Sequence, residues 1–462
     1  MKSNKKRSVR DSMGELEVDE GALYGAQTQR ALNNFPISGS RLPLEFIKAL
    51  VQIKRAAALG NQKLDCLPGE ISSAIDVACV SLLADSNLIE HFPVDVFQTG
   101  SGTSSNMNVN EVVATLASNA SGLTVNPNDH VNFGQSSNDV IPTAIHVSAV
   151  TTVTRELLPV LDELISVISL KSETLRGVCK TGRTHLMDAM PVRMDQVLNG
   201  WAAQVGNARA LISSTVAHMQ YVAIGGTAVG TGINTHQNFS AATTQILSKN
   251  VGLQFFPARE HFSLIGSQDS AVALSGQLKT LAVALLKISN DLRWMNSGPL
   301  AGLGEISLEP LQPGSSIMPG KVNPVIPEAV AMVAAQVIGN DTAITIAGQS
   351  GNFELNVMLP LVANNLLESV TLLSKSLPLL SNRAIATFEV NRDNLSAPLH
   401  RNPILVTALN PIIGYDKAAE IAKSAYQSNR PIIDVAEEFT DLSREELLSL
   451  LDPKKLTEGG IN

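Results

Sequence analysis

The chain has 462 residues, 44% of them apolar but only 4% aromatic, and a formal net charge of −8. That length exceeds one compact core, and a core of small aliphatic side chains suits close-packed helices better than aromatic-rich sheets. The acidic balance argues against a nucleic-acid binder, which needs a basic face. It leaves an acidic small-molecule substrate open, because such a ligand responds to the local field.

Residues 1–10 are basic, no apolar stretch follows, and Asp11, Glu15, Glu17, Asp19 and Glu20 arrive at once. The expectation is a disordered tail on a cytoplasmic protein, not a secretory leader. Cys66, Cys79 and Cys179 have no metal-type spacing and read as small buried hydrophobes in a reducing compartment. No uninterrupted apolar run reaches membrane-spanning length; 281–286, for example, is soon broken by Lys287 and Asp291.

To about residue 140, short helical patterns alternate with loops rich in Gly, Pro and Asn. Long helices are predicted over 140–176, 191–218, 237–251, 270–296, 326–347 and 355–387, where apolar residues recur at helical spacing, as in Leu157, Leu161, Leu164, Ile165 and Ile168. In 270–296, Ala271, Leu274, Leu278, Leu281, Val283 and Leu285 surround the axis, so that helix is expected in the core of a bundle, shared between subunits. After a turn at 410–414, shorter helices are predicted over 417–428 and 443–451, the second capped at Asp441 or Ser443 with Glu445 and Glu446 behind. The expected division is a mixed, mostly helical N-terminal domain (1–138), a long-helix domain (139–394) and a small helical C-terminal domain (395–462).

Four polar clusters lie between these helices: Thr99-Gly-Ser-Gly-Thr-Ser-Ser-Asn-Met-Asn108, residues 128–139 with Gln135-Ser-Ser-Asn138, Gly182-Arg-Thr-His185, and Gly314-Ser-Ser-Ile-Met-Pro-Gly-Lys-Val-Asn323. Each is read as preceding a helix, where hydroxyls, amides and free backbone N–H groups make anion sites. Singly, each is an ordinary cap; together they suit a small polyanion such as a dicarboxylate. In the fourth cluster, Gly314 and Gly320 permit a loop that closes over substrate, and N–H donors with Lys321 nearby would stabilise a Ser315 alkoxide able to take a proton. His185 is the candidate for a second proton transfer, with Glu328 as an orienting partner; the bland alternatives are a structural histidine and a dipole-favoured acid. The Gly-rich stretch 224–232 is expected to follow a helix, not a strand, which speaks against a dinucleotide fingerprint. Nucleotide-loop, zinc and Gly-x-Ser-x-Gly patterns are not found in the sequence.

Residues 314–324 resemble the signature loop of the fumarase/aspartase superfamily, and the other clusters follow in that family's order. The resemblance runs from Asp11-Ser-Met-Gly-Glu-Leu-Glu-Val18 and Tyr24-Gly-Ala-Gln-Thr-Gln-Arg30 to Leu405-Val-Thr-Ala-Leu-Asn-Pro411. It implies a mostly all-α, three-domain fold with a long central helical bundle, in a homotetramer whose active sites are built from three subunits, with no cofactor or metal and no nucleic-acid or membrane partner. It also implies reversible anti-elimination from a C4 dicarboxylate through an aci-carboxylate carbanion. Ser315 then matches the base, and His185 with Glu328 the second catalytic pair. Ser101, Gly102, Thr103, Ser136, Ser137, Asn138, Thr184, Ser316, Lys321 and Asn323 match substrate-contacting positions.

Within the superfamily, Gln135-Ser-Ser-Asn138, Ile224-Gly-Gly-Thr227 and Gly414-Tyr-Asp-Lys-Ala-Ala419 resemble class II fumarases, which hydrate fumarate to malate in the tricarboxylic acid cycle. Ser104 and Val325-Ile-Pro-Glu328 resemble aspartases, so aspartate ammonia-lyase is the alternative; a non-catalytic structural relative is a further one, opposed by Ser315, His185 and Lys321. A second carboxylate site would fall at Asn126, Asn128 and Asp129, but Asn126 and Leu123 stand where bacterial fumarases commonly have histidine and arginine.

Overall fold

Residues 5–460 are described by the structure, a computed structural model. A hairpin, β1 (Lys6–Asp11) and β2 (Gly14–Asp19), opens the chain. Helices α1 (Ala26–Asn34), α2 (Leu44–Lys63), α3 (Gly69–Ala84), α4 (Thr103–Ser121), α5 (Ser137–Thr152) and α6 (Leu158–Thr174) follow. A second hairpin, β3 (Cys179–Thr184) and β4 (Met187–Arg193), leads into α7 (Met194–Met219). Then come β5 (Tyr221–Val222), α8 (Phe239–Val251), β6 (Phe256–Pro257), α9 (His261–Gly266), α10 (Asp269–Met295), β7 (Ile306–Ser307), α11 (Val325–Gly348) and α12 (Leu359–Leu380). Shorter helices at Tyr415–Ser428, Ile432–Phe439 and Arg444–Leu450 fall in the C-terminal part.

The helix periodicity is realised with small boundary shifts. The run expected over 140–176 is α5 and α6 joined through a π-turn at Val153–Leu157. The start of α5 is set by a reciprocal cap between Ser136 and Asp139, and Ser443 with Glu446 does the same for Arg444–Leu450. Gly122 and Gly252, both at positive φ, stop α4 and α8.

Three expectations are corrected. The basic segment is not a free tail over 6–11: alternating Lys6-Arg-Ser-Val-Arg-Asp11 pairs along Gly14–Asp19, and Arg30 grips Asp11 through two N–H···O bonds of 2.7 and 2.9 Å. Residues 1–4 of that tail lie outside the described residues. The His185 cluster does not precede a helix; it tips the β3–β4 hairpin, and Pro191 belongs to β4. The Gly-rich stretch 224–232 does follow a strand, the two-residue β5, which pairs in parallel with β6.

The chain divides into two units. The first comprises 1–159, 208–282 and 335–374; the second comprises 160–207, 283–334 and 375–462. In the first, α2 packs on α3, α5 and α8 through fully buried Phe46, Leu50, Val51, Ile53 and Ala57. The α4 residue Glu111 anchors the segment 25–28: its carboxylate accepts from Gly25 N (2.8 Å), Gln27 N (2.9 Å), Thr28 N (3.1 Å) and Thr28 Oγ1 (2.6 Å). In the second unit, Leu405, Leu409, Ile421, Val435 and Leu447 form the core of the C-terminal helices. By length and composition α10 and α11 could each cross a membrane; half of the apolar window of α10 and a third of that of α11 are buried within the chain.

Glu111→Ala removes the acceptor from four donors, two of them on the buried Thr28. We expect the first unit to lose about 2–4 kcal/mol in urea unfolding. A loss below about 0.5 kcal/mol, the size of an ordinary surface change, would show that water replaces the carboxylate freely.

Candidate functional site

The first two polar clusters meet in the first unit. Thr103, Ser136, Ser137 and Asn138 line one cavity of about 450 Å³, together with Asn106, Asn132, Gln135, Thr227 and Asn234. Glycine makes the approach possible. A Cβ on Gly100 would lie 1.8 Å from Val357 O, and one on Gly102, which has φ +71° and caps α4, would lie 2.9 Å from Ile141 Cγ1. The Ser101 and Thr103 hydroxyls are 2.8 Å apart. Ser136 is occupied in part as the cap of α5, its Oγ accepting from Asn138 N. Asn138 donates to Ala228 O at 2.7 Å, and Ser137 Oγ accepts from Asn106 Nδ2 at 3.0 Å.

The Gly-rich stretch finds its use here. Gly225 N and Thr227 N each donate at 2.9 Å to Asp139 Oδ2, while Asp139 Oδ1 accepts from Ser136 N at 2.9 Å. Asp139 is fully buried, and burial raises its pKa against the lowering effect of these three N–H donors. This one carboxylate ties the loop carrying Ser136–Asn138 to the one carrying Thr227 and Ala228. Thr227, buried and at φ +53°, is held in a backbone region that β-branched residues rarely adopt.

The Asn126 neighbourhood is engaged by its own turn. Asn126 Oδ1 accepts from Asn128 N (2.8 Å) and Asp129 N (2.9 Å), and Asn126 N donates to His130 Nδ1 (2.9 Å). The Asn126 side chain is thus engaged within its own turn. The Asn128 and Asp129 side chains are exposed.

The third and fourth clusters lie in the second unit. His185 and Leu186, at φ +54° and +61°, form the two-residue turn of the β3–β4 hairpin, with Thr184 and His185 exposed. Below the tip, Lys180 and Arg183 each reach the buried Glu305 at 2.8 Å and fix the hairpin's base. Burial lowers the Lys180 pKa, opposed by Glu305.

The loop 314–323 is closed on itself. Gly314 N donates to Lys321 O (2.7 Å), Lys321 N to Met318 O (3.3 Å) and Asn323 Nδ2 to Gly314 O (2.8 Å). Inside this ring, Ser315 Oγ accepts from Ile317 N (3.3 Å) and Met318 N (3.1 Å). Ser316 is exposed beside it. Lys321, Asn323 and Glu328, the last in the first turn of α11, line a cavity of about 780 Å³. Among the described residues no hydrogen bond or ion pair joins His185 to Glu328 within the chain. Asn106, Asn132 and Gln135 lie within the first two clusters but were given no individual role there; Thr227, inside the rejected Gly-rich stretch, and Asn234, just beyond it, are the polar lining that sequence reasoning missed.

Comparison with known proteins covers the whole chain. A lyase family matches residues 14–339, and a family described as the fumarase C C-terminus matches 405–458. The class II fumarate hydratase 2 of Pseudomonas aeruginosa is 65% identical over 98% of this chain and 99% of its own length. A class II fumarate hydratase of Xylella fastidiosa is 56% identical over 100% of this chain and 97% of its own. The crystal structure of a class II fumarase from Schistosoma mansoni superposes with a TM-score of 0.96 at 37% identity, covering 98% of this chain and 99% of that one. With its mostly helical architecture and full-length likeness, the chain belongs to the class II fumarase family of lyases.

Proposed function

We propose that this protein is a fumarate hydratase, interconverting fumarate and malate by anti-addition and elimination through an aci-carboxylate carbanion. The observation that carries this reading is identity of 65% to a class II fumarate hydratase along essentially the whole of both chains. Ser104 and Val325–Glu328, which resemble aspartases, are local features set against that full-length likeness.

In the proposed mechanism, Ser315 removes the proton beside one carboxylate. Its two N–H contacts support this role, because donors already aimed at the oxygen stabilise the alkoxide without reorganisation, and the Lys321 charge adds to the same field. His185, with Glu328, handles the water that leaves or adds. Lys321 holds one carboxylate; Asn323 shapes the loop through Gly314 O and offers its remaining N–H. Ser101, Gly102, Thr103, Ser136, Ser137, Asn138, Thr184 and Ser316 supply neutral donors to the dicarboxylate.

We further propose a homotetramer with active sites shared between subunits. The support is an apolar helix left uncovered by its own chain: Met332 and Ile346 on α11 are 68% and 52% exposed. A partner subunit would also supply the His185–Glu328 contact. The cytoplasm and the tricarboxylic acid cycle are the proposed setting, a reading supported by three free cysteines.

Fumarate absorbance, followed with malate and then aspartate as sole substrate, tests the reaction. Malate should be converted and aspartate not; turnover of aspartate alone would overturn the assignment. Ser315→Ala should keep its assembly state while kcat falls by ~10² or more, as for a lost proton-transfer group; near-normal turnover would remove Ser315 from its role. Co-expressed Ser315→Ala and His185→Asn chains should regain activity by pairing an intact residue from each. Mixed oligomers with no recovery would place both residues of each site in one chain.

A further inference from the structure

A charge lies behind the floor of the cavity in the first unit. Lys54, on α2, is 0% exposed, and its Nζ donates to Asn132 Oδ1 (2.8 Å) and Gln135 Oε1 (2.9 Å). Asn132 Oδ1 also accepts from Asn106 Nδ2 (3.2 Å) and Asn110 Nδ2 (3.1 Å), and Asn106 Nδ2 donates to Ser137 Oγ (3.0 Å). Three residues lining the cavity, Asn106, Asn132 and Gln135, are thus tethered to one ammonium.

An ammonium is a donor only, so its partners must present oxygen. Asn132 and Gln135 are fixed with their carbonyls towards Lys54, and Asn106 and Asn110 must then turn their N–H groups towards Asn132. Ser137 Oγ receives an N–H from Asn106, which leaves its own hydroxyl proton to give. The direction of every amide in this network follows from the lysine, and the network ends in a donor at the cavity.

Packing does not explain a charge at this position, because methionine or leucine would fill the same slot without desolvating an ion. Nor is the charge neutralised by a bonded carboxylate. Asp139, whose charge acts on Lys54, directs its oxygens to Ser136 N, Gly225 N and Thr227 N instead. Burial pushes the ammonium down to about 7, opposed first by the charge of Asp139. An anion in the cavity would offset that penalty.

We propose that Lys54 is a positioning residue of the dicarboxylate site: through Asn132, Gln135 and Asn106 it sets the donor polarity of the cavity floor and supplies a charge with no bonded counter-ion, which favours a doubly anionic ligand. The proposal rests on the dicarboxylate reading above, although its test needs no turnover.

Calorimetric binding of succinate, a dicarboxylate that cannot react, is compared with that of butyrate on the full-length protein. Lys54→Met removes charge and donor. Lys54→Gln removes the charge but keeps an N–H donor facing Asn132 and Gln135, and leaves the cavity lining itself unchanged. In both variants the succinate Kd should rise about tenfold or more while that of butyrate changes less than about threefold, the scale of a lost charged contact. A purely structural lysine predicts that succinate and butyrate binding change together in Lys54→Gln. A succinate Kd within about threefold of wild type in either folded variant overturns the proposal, as does an equal loss for both ligands. Should Lys54→Met fail to fold, Lys54→Gln decides alone. Succinate binding without fumarate hydration would strike the assigned reaction and leave this proposal standing.

Discussion

The Ser315 hydroxyl rests against the N–H groups of Ile317 and Met318, and that contact depends on the absence of a side chain at residue 314. A Cβ on Gly314 would lie 2.7 Å from Lys321 O and 2.9 Å from Asn323 N, so any other residue would force the ring of bonds open. With glycine there, the loop turns back on itself, and the proposed base sits among donors already oriented for its anion. The proposed proton transfer draws on this geometry; in the same proposal, hydroxyl, amide and ammonium groups elsewhere have the complementary task of holding carboxylates.

Each unit contributes differently to that task. In the first, two buried charges organise neutral groups: Asp139 gathers backbone N–H groups from the Gly-rich stretch, and Lys54 orients side-chain amides. Neither lines the cavity, yet both determine which atoms do. In the second, the Lys180–Glu305–Arg183 cluster fixes the base of a hairpin whose exposed tip carries Thr184 and His185. A strained two-residue turn at that tip is bearable because the strands below it are pinned.

Much of this was legible in the sequence. Apolar spacing located the long helices, since burial of one face overrides local preference, and the four polar clusters stood out against the apolar helices. The hairpins were not legible. β1 carries one apolar side chain, Val9, among charged and hydroxyl ones, so no alternation shows, and the β3–β4 turn uses His185-Leu186 where Asn-Gly is the familiar signal. Lys54 was missed because a lysine in an amphipathic helix reads as solvated; only the structure shows that its position on α2 faces inward, beneath Asn132 and Gln135. The joining of the first two clusters is a long-range event, made by Asn106 Nδ2 donating to Asn132 Oδ1 and Ser137 Oγ.

A crystal structure of the assembled protein with malate bound tests most directly the claim that these clusters serve one dicarboxylate. The account predicts the carbon that loses its proton about 3–3.5 Å from Ser315 Oγ, with one carboxylate in hydrogen-bond reach of Ser137 and Asn138. Malate bound with that carbon beyond about 6 Å from Ser315, outside the reach of direct proton transfer, would contradict it.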